Sequence, residues 1–218
     1  MNSDNLQKAF SLAISHIQKG MVLGLGSGST VNLFIDELAK AKLNFDIDCI
    51  VPASEATKAK LLSHNFNVVD LNSVDVDLYI DSCDEFNSLK ELIKGGGGAL
   101  TREKIIASSA KQFICIAGNS KFVDVFGKFP IAVEVISMAR GLVARKLLSM
   151  GGNPSLRHEY ITDNGNIIID VHGLDLSNVE LLEKEINNIP GVVETGIFSS
   201  IKPSKIIIID ENENRLLE

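Results

Sequence analysis

Met21-Val22-Leu23-Gly24-Leu25-Gly26-Ser27-Gly28-Ser29-Thr30 is the stretch whose reading decides the fold. Its first five residues form a short apolar run with the character of a buried strand. Glycine and serine interrupt the run, and residues 31–41 then carry apolar side chains at helical spacing. A strand that breaks on glycines and passes straight into a helix is the opening half of a βαβ unit. Glycines let backbone amides approach an anion closely, and the N-terminus of the following helix favours negative charge. A dinucleotide fingerprint would need a third glycine where Val31 stands, and a P-loop would need a lysine that is absent. What remains is a loop for a small phosphate or a sugar, with Ser27, Gly28, Ser29 and Thr30 as donors. A tight turn without a ligand is the competing reading.

The pattern continues on both sides of this stretch. Residues 5–19 read as an amphipathic helix stopped by Gly20. Strands are expected at 49–51, 68–69, 78–80 and 113–117, with helices at 54–64 and 101–110. This alternation predicts a parallel sheet with helices on both faces, whose ligands bind beyond the carboxyl ends of the strands. Residues 131–136, 138–150, 156–162, 167–171, 178–189 and 192–198 then read strand, helix, strand, strand, helix, strand. Asp163-Asn164-Gly165 is a hairpin signal between the middle two strands. That order is the split-βαβ arrangement, and a last strand at 205–210 returns to the first sheet. The expected fold class is α/β. It comprises a Rossmann-like parallel-sheet domain (1–127 plus 201–218) and a smaller split-βαβ, ferredoxin-like α+β domain (128–200), the latter read as an oligomerisation domain.

Composition narrows the function. The 218 residues are 45% apolar and 22% charged, with a formal net charge of -7, ordinary for a globular protein. No basic footprint for nucleic acid is present, so an anionic substrate must be met by a local site. Cys49, Cys83 and Cys115 are odd in number and show no paired spacing, which points to a reducing compartment rather than to disulfides or zinc. The N-terminus has no signal-peptide core and no apolar run reaches membrane length. The expected location is the cytoplasm, without membrane or nucleic-acid partners. His16, His64, His158 and His172 lack metal-ligand spacing and are read as structural.

Three further segments carry chemistry. Asp81-Ser82-Cys83-Asp84-Glu85 follows a strand and places three carboxylates together. That suits proton transfer, a magnesium site or a solvated acidic turn. Cys83 has no histidine nearby in sequence to activate it and reads as a buried thiol. Lys94-Gly95-Gly96-Gly97-Gly98-Ala99-Leu100-Thr101-Arg102-Glu103 joins a cation, a donor-rich loop and a carboxylate within ten residues. Four consecutive glycines are entropically costly. Thr101 is the expected N-cap of the helix that holds Glu103. Lys121 follows the strand at 113–117.

These residues resemble the A-type ribose-5-phosphate isomerases. The similarity runs through the loop at 26–30, the acidic loop at 81–85, the block Lys-Gly-Gly-Gly-Gly-Ala-Leu-Thr-Arg-Glu-Lys-Ile from Lys94, and Gly118-Asn119-Ser120-Lys121. It continues through Val133-Glu134-Val135-Ile136 and residues 164–174. The resemblance implies a two-domain α/β enzyme, usually a homodimer or homotetramer, without metal or organic cofactor. It would interconvert D-ribose 5-phosphate and D-ribulose 5-phosphate in the pentose phosphate pathway. It also implies Glu103 as general base, with Asp81, Asp84 and Lys94 catalytic. Substrate would bind at Ser27, Gly28, Ser29, Thr30, Asp81, Ser82, Cys83, Asp84, Lys94, Gly95, Gly96, Gly97 and Lys121. Three positions depart from the family: Ser82 and Cys83 replace a usual Gly-Ala pair, and Ser137 replaces a frequent proline. Serine at 82 would be strained if the loop needed a positive φ there. Rival readings are a non-catalytic sugar-phosphate sensor, a nucleotide-dependent Rossmann enzyme, and a related sugar-phosphate deaminase or other isomerase.

Overall fold

The computed structural model describes residues 3–41 and 47–218. The chain forms two compact units. The first gathers Met1–Cys83, Arg102–Lys121 and Pro203–Glu218, and the second gathers Asp84–Thr101 and Phe122–Lys202. Helix α1 (Ser3–Ile14) opens the first unit. It is shorter than the sequence pattern, because residues 15–17 continue as single turns before Gly20, at φ +78°, ends the segment. Strand β1 (Val22–Leu25), helix α2 (Ser29–Ala41), strand β2 (Cys49–Pro52) and helix α3 (Glu55–Ser63) follow. Ser54 caps α3, its hydroxyl accepting from the Thr57 amide at 3.0 Å, the usual partner for an orphan amide of a first turn. Val68 adds only an isolated bridge to Ile50. Strand β3 (Leu78–Asp81) completes this part.

Two short strands, β4 (Glu85–Phe86) and β5 (Leu92–Ile93), come next. The chain re-enters the first unit within helix α4 (Leu100–Ser109) and runs on into β6 (Gln112–Gly118). The second unit resumes with β7 (Ile131–Val135), a 3-10 turn at Ser137–Ala139, and α5 (Arg140–Ser149). Strands β8 (Asn153–Leu156) and β9 (Ile167–His172), helix α6 (Val179–Asn187), and strands β10 (Val192–Thr195) and β11 (Ile197–Phe198) follow. Finally β12 (Lys205–Ile209) and β13 (Arg215–Leu217) belong to the first unit.

The first unit's sheet has the order β13-β12-β6-β3-β1-β2. All pairs are parallel except the edge pair β12–β13. β3 and the interior of β6 are buried throughout, as expected of parallel strands covered on both faces. Phe10 of α1 meets Phe34 of α2 edge-on at 5.6 Å in the core beneath Leu23, Leu25, Ile80, Ile116 and Ile207. The chain leaves β1 for β2 on one side and then crosses to β3 on the other. The carboxyl ends of β1 and β3 therefore flank a topological switch point, where α/β sheets of this order bind ligands.

In the second unit, four antiparallel strands take the order β10-β7-β9-β8. β7 and β8 run the same way with β9 between them, which is the expected split βαβ. Val133, Val135, Val143, Leu147, Ile169, Leu182 and Ile186 share its core. A separate small sheet, β11-β5-β4, explains why residues 84–101 belong here rather than with the first sheet as the sequence expectation had them. It also splits the strand expected at 192–198, because Val192–Thr195 pairs with β7 while Ile197–Phe198 pairs with β5. The strand expected at 156–162 lies earlier, at Asn153–Leu156. Proline is tolerated at position 154 because β8 is an edge strand. Residues 158–166 form an arm that turns at Thr162, whose carbonyl accepts from Gly165 N. Among the described residues no helix is long and apolar enough to cross a membrane.

Candidate active site

At the first unit's switch point, β1 runs out at Leu25 and the glycine-serine loop begins. Gly26 N donates to Ile80 O at 3.0 Å, and Thr57 Oγ1 donates to Gly26 O at 2.8 Å. The loop is thus tied to β3 on one side and to α3 on the other. A Cβ on Gly26 would fall 1.8 Å from Asp81 Oδ1, so only glycine lets the loop lie against that carboxylate. Asp81, the last residue of β3, is fully buried. Its Oδ1 accepts from Ser82 N at 2.7 Å and Ser27 N at 3.3 Å, while Oδ2 takes a short hydrogen bond from the Tyr79 hydroxyl. Burial, then the negative charges of Asp81 and Glu103, hold the Tyr79 hydroxyl well above the ordinary phenol range. Tyr79 therefore remains protonated and acts as a donor.

Glu103 stands in the first turn of α4 and is 4% exposed. Ser27 Oγ donates to its Oε1 at 2.6 Å, which links the β1 loop to α4. The helix lies close to the sheet because Gly24 has no side chain: a Cβ there would meet Ile106 at 2.5 Å and Tyr79 at 2.9 Å. Ser29 and Thr30 begin α2 and follow Gly28, which has φ +96°. Ser82 is half-buried and does not have a positive φ, so its replacement of glycine carries no backbone strain. Cys83 is a buried free thiol. Lys121 is exposed on the 3-10 turn Asn119–Lys121 after β6.

The second unit holds the other residues singled out in the sequence. Asp84 Oδ2 accepts from Gly96 N at 2.8 Å. Glu85 turns to different partners, accepting from Phe129 N at 2.9 Å and Gly127 N at 3.1 Å. Lys94 is buried beside β5. Its amide donates to Gly196 O at 2.9 Å, and its Nζ lies 5.6 Å from the Phe198 ring centroid, within cation–π range. Gly95 and Gly98 have φ of +108° and +78°, and Gly98 N closes a turn onto Gly95 O at 3.0 Å. Gly95 and Gly98 supply the left-handed backbone on which the chain reverses, and a Cβ on Gly96 would lie 2.9 Å from Asp84 Oδ1.

Thr101 is not the N-cap of α4. It lies inside the first turn, and its hydroxyl donates to Glu134 Oε2 at 2.5 Å. Glu134 is fully buried and also accepts from Thr162 Oγ1, Asn164 Nδ2 and Asn166 Nδ2. Among the described residues, no group of three or more His, Cys, Asp and Glu side chains is placed to hold a metal ion. His64 pairs with Asp36 at 2.9 Å in a surface contact.

The family model for ribose 5-phosphate isomerase A (phosphoriboisomerase A) matches residues 49–213. This chain belongs to the ribose 5-phosphate isomerase A family. Membership makes it an isomerase. A ribose-5-phosphate isomerase A of Legionella pneumophila (strain Lens) is 52% identical over 202 residues, covering 92% of this chain and 93% of that one. The fold is that of the family's solved structures. Ribose 5-phosphate isomerase A from Neisseria gonorrhoeae superposes with a TM-score of 0.95 at 41% identity, over 100% of this chain and 97% of the other. A D-ribose-5-phosphate isomerase solved in complex with phospho-erythronic acid gives 0.93 at 35% identity over the whole of both chains.

The sequence singled out the carboxylates and glycines but missed the residues that hold them. Tyr79 on Asp81, Thr57 on Gly26, Glu134 on Thr101, and Arg157 and Tyr160 on the glycine loop were all overlooked. One sequence feature could have found two of these. The chain has only two tyrosines, and both donate their hydroxyls to segments carrying candidate site residues.

Proposed function

We propose that the chain interconverts D-ribose 5-phosphate and D-ribulose 5-phosphate through an enediolate, with Glu103 as the general base. The observation that carries this reading is a nearly buried Glu103, fixed by Ser27 at 2.6 Å beside a switch point that also holds the fully buried Asp81. Aldose–ketose isomerisation needs one carboxylate that removes the C2 proton of the open sugar and, as the acid exchanging with solvent, delivers a proton to C1. It also needs donors set in advance for the oxyanion that forms. Lys94 and the amides of Gly95 and Gly97 take the second role, the expected Gly96 amide being engaged by Asp84. Support also comes from the phospho-erythronic acid bound to a relative, since a carboxylate is planar and anionic, as an enediolate is.

Asp81 and Asp84 serve ring opening by moving protons on the ring oxygen and hydroxyls. Asp84 spends one oxygen on Gly96 and offers the other to substrate. Asp81, engaged by Tyr79, Ser27 and Ser82, is the more rigid partner. Ser27, Gly28, Ser29 and Thr30, at the start of α2, and Lys121 bind the phosphate and nearby hydroxyls, with Ser82 and Cys83 lining the same loop region. The reaction needs no metal or organic cofactor. It belongs to the non-oxidative branch of the pentose phosphate pathway, carried out in the cytoplasm by a homodimer or homotetramer joined through the smaller unit, without nucleic-acid or membrane partners. The test is conversion of ribose 5-phosphate in EDTA by the wild type beside Glu103→Gln. The reading expects EDTA-resistant turnover that collapses in the variant while substrate still binds. Near-normal turnover in the variant would remove Glu103 as base.

A further inference from the structure

Three consecutive carbonyls of the glycine loop are held from the arm that follows β8. Arg157 Nη1 donates to Gly95 O at 3.0 Å and to Gly96 O at 3.3 Å, and the Tyr160 hydroxyl donates to Gly97 O at 2.8 Å. The guanidinium is itself fixed. Its Nε and Nη2 form a fork on Asp170 at 2.9 and 2.6 Å, and its Cζ lies 5.4 Å from the Tyr160 ring centroid. Arg157 N also extends the β8–β9 ladder by donating to Ile168 O at 2.9 Å. The fit is close, since a Cβ on Gly98 would fall 2.0 Å from the Tyr160 oxygen.

A planar trans peptide points its N–H opposite to its C=O. Fixing the carbonyls of Gly95, Gly96 and Gly97 therefore fixes the N–H groups of Gly96, Gly97 and Gly98. Gly96 N is taken by Asp84, and Gly98 N by Gly95 O. Gly97 is exposed, and its N–H has no hydrogen-bond partner among the described residues. Of the three amides whose direction these contacts set, that of Gly97 is the one left to donate.

We propose that Arg157 and Tyr160 are positioning residues that aim the Gly97 N–H at the oxyanion developing on the sugar. The inference rests on the isomerase reading above. A flexible tetraglycine would have to freeze this amide at each turnover, whereas the arm sets it in advance. Neither residue touches the reacting atoms in this scheme, so both act through the loop.

The experiment compares Tyr160→Phe and Arg157→Lys with the wild type in kcat, KM, melting temperature, and inhibition by phospho-erythronic acid and by inorganic phosphate. Tyr160→Phe removes one oxygen and keeps the ring. It should lower kcat on the order of tenfold with KM nearly unchanged. Arg157→Lys loses the fork and both carbonyl contacts and should fall further. In both, the acid should weaken in step with kcat, because its carboxylate mimics the oxyanion, while inorganic phosphate should inhibit as before. If Arg157→Lys does not fold, Tyr160→Phe decides alone. A kcat within about twofold of wild type, or equal weakening of the acid and phosphate, would overturn the clamp. Absence of turnover in the wild type would instead overturn the substrate reading, and the clamp with it.

Discussion

Alanine at Gly26 should disrupt the Asp81 region more than any other single-methyl change in the first unit. A Cβ at that position sits 1.8 Å from Asp81 Oδ1 and 1.9 Å from its Cγ. Ordinary contact requires a retreat of about 1.5 Å or more. The carboxylate has nowhere to go, because it is fully buried and engaged by Tyr79, Ser27 and Ser82. The loop is pinned by Ile80 and by Thr57. Something must give, and the smallest response breaks one or two hydrogen bonds to a buried charge. At about 1.5–3 kcal/mol each, the loss is about 1.5–6 kcal/mol, or on the order of 10 °C in melting temperature for a chain of this length. Thermal unfolding followed by circular dichroism measures it, with Gly20→Ala as control. Gly20, unlike Gly26, has a positive φ, +78°, but no atom within 4 Å, so its cost is backbone strain alone, about 1–2 kcal/mol. A Gly26→Ala protein that melted with the wild type and kept its kcat would refute the close seat of Asp81 under the loop.

Asp77 ties the approach to β3 to the start of β1. It accepts from Lys111 Nζ at 2.7 Å and from Val22 N at 3.0 Å, and chiefly the lysine holds its pKa below the ordinary 3.8. A depressed carboxylate stabilises above its unfolded pKa and loses that contribution as pH falls through its folded value. Asp77→Asn should therefore be less stable than wild type at pH 7, with the gap closing below about pH 4 in paired urea melts. Glu134→Gln puts an amide N–H among four donors. The threonine hydroxyls can rotate to accept, but the asparagine amides must flip, so denaturant melts should show a loss of about 1–3 kcal/mol. No loss would mean that the buried cluster does not depend on charge.

The large parallel sheet was legible because its strands are apolar runs alternating with periodic helices. Residues 21–30 show the strand, loop and helix start in ten letters. The split βαβ was equally legible from element order. Two-residue strands such as β4, β5 and β11 have no periodicity to read, so the small sheet that carries 84–101 into the second unit was invisible. β8 was misplaced because Pro154 argues against a strand anywhere but on an edge, and edge position is a tertiary fact. Glu103, Asp81 and Lys94 were legible as charged residues on glycine-rich or strand-end loops. Tyr79, Arg157 and Glu134 were not, because their roles lie in contacts across 2, 62 and 33 positions. Thr101 was misread for a related reason. A threonine ahead of a helix suggests a cap, and only the fold brings Glu134 to its hydroxyl.

Whether Glu103 moves a proton is read most directly by running the isomerisation in D2O and following the sugar by NMR. Transfer through an enediolate predicts solvent deuterium at C1 of ribulose 5-phosphate with the wild type and none with Glu103→Gln, whose turnover should be lost. Turnover, or solvent deuterium at C1, that persists in the variant would contradict Glu103 as the general base.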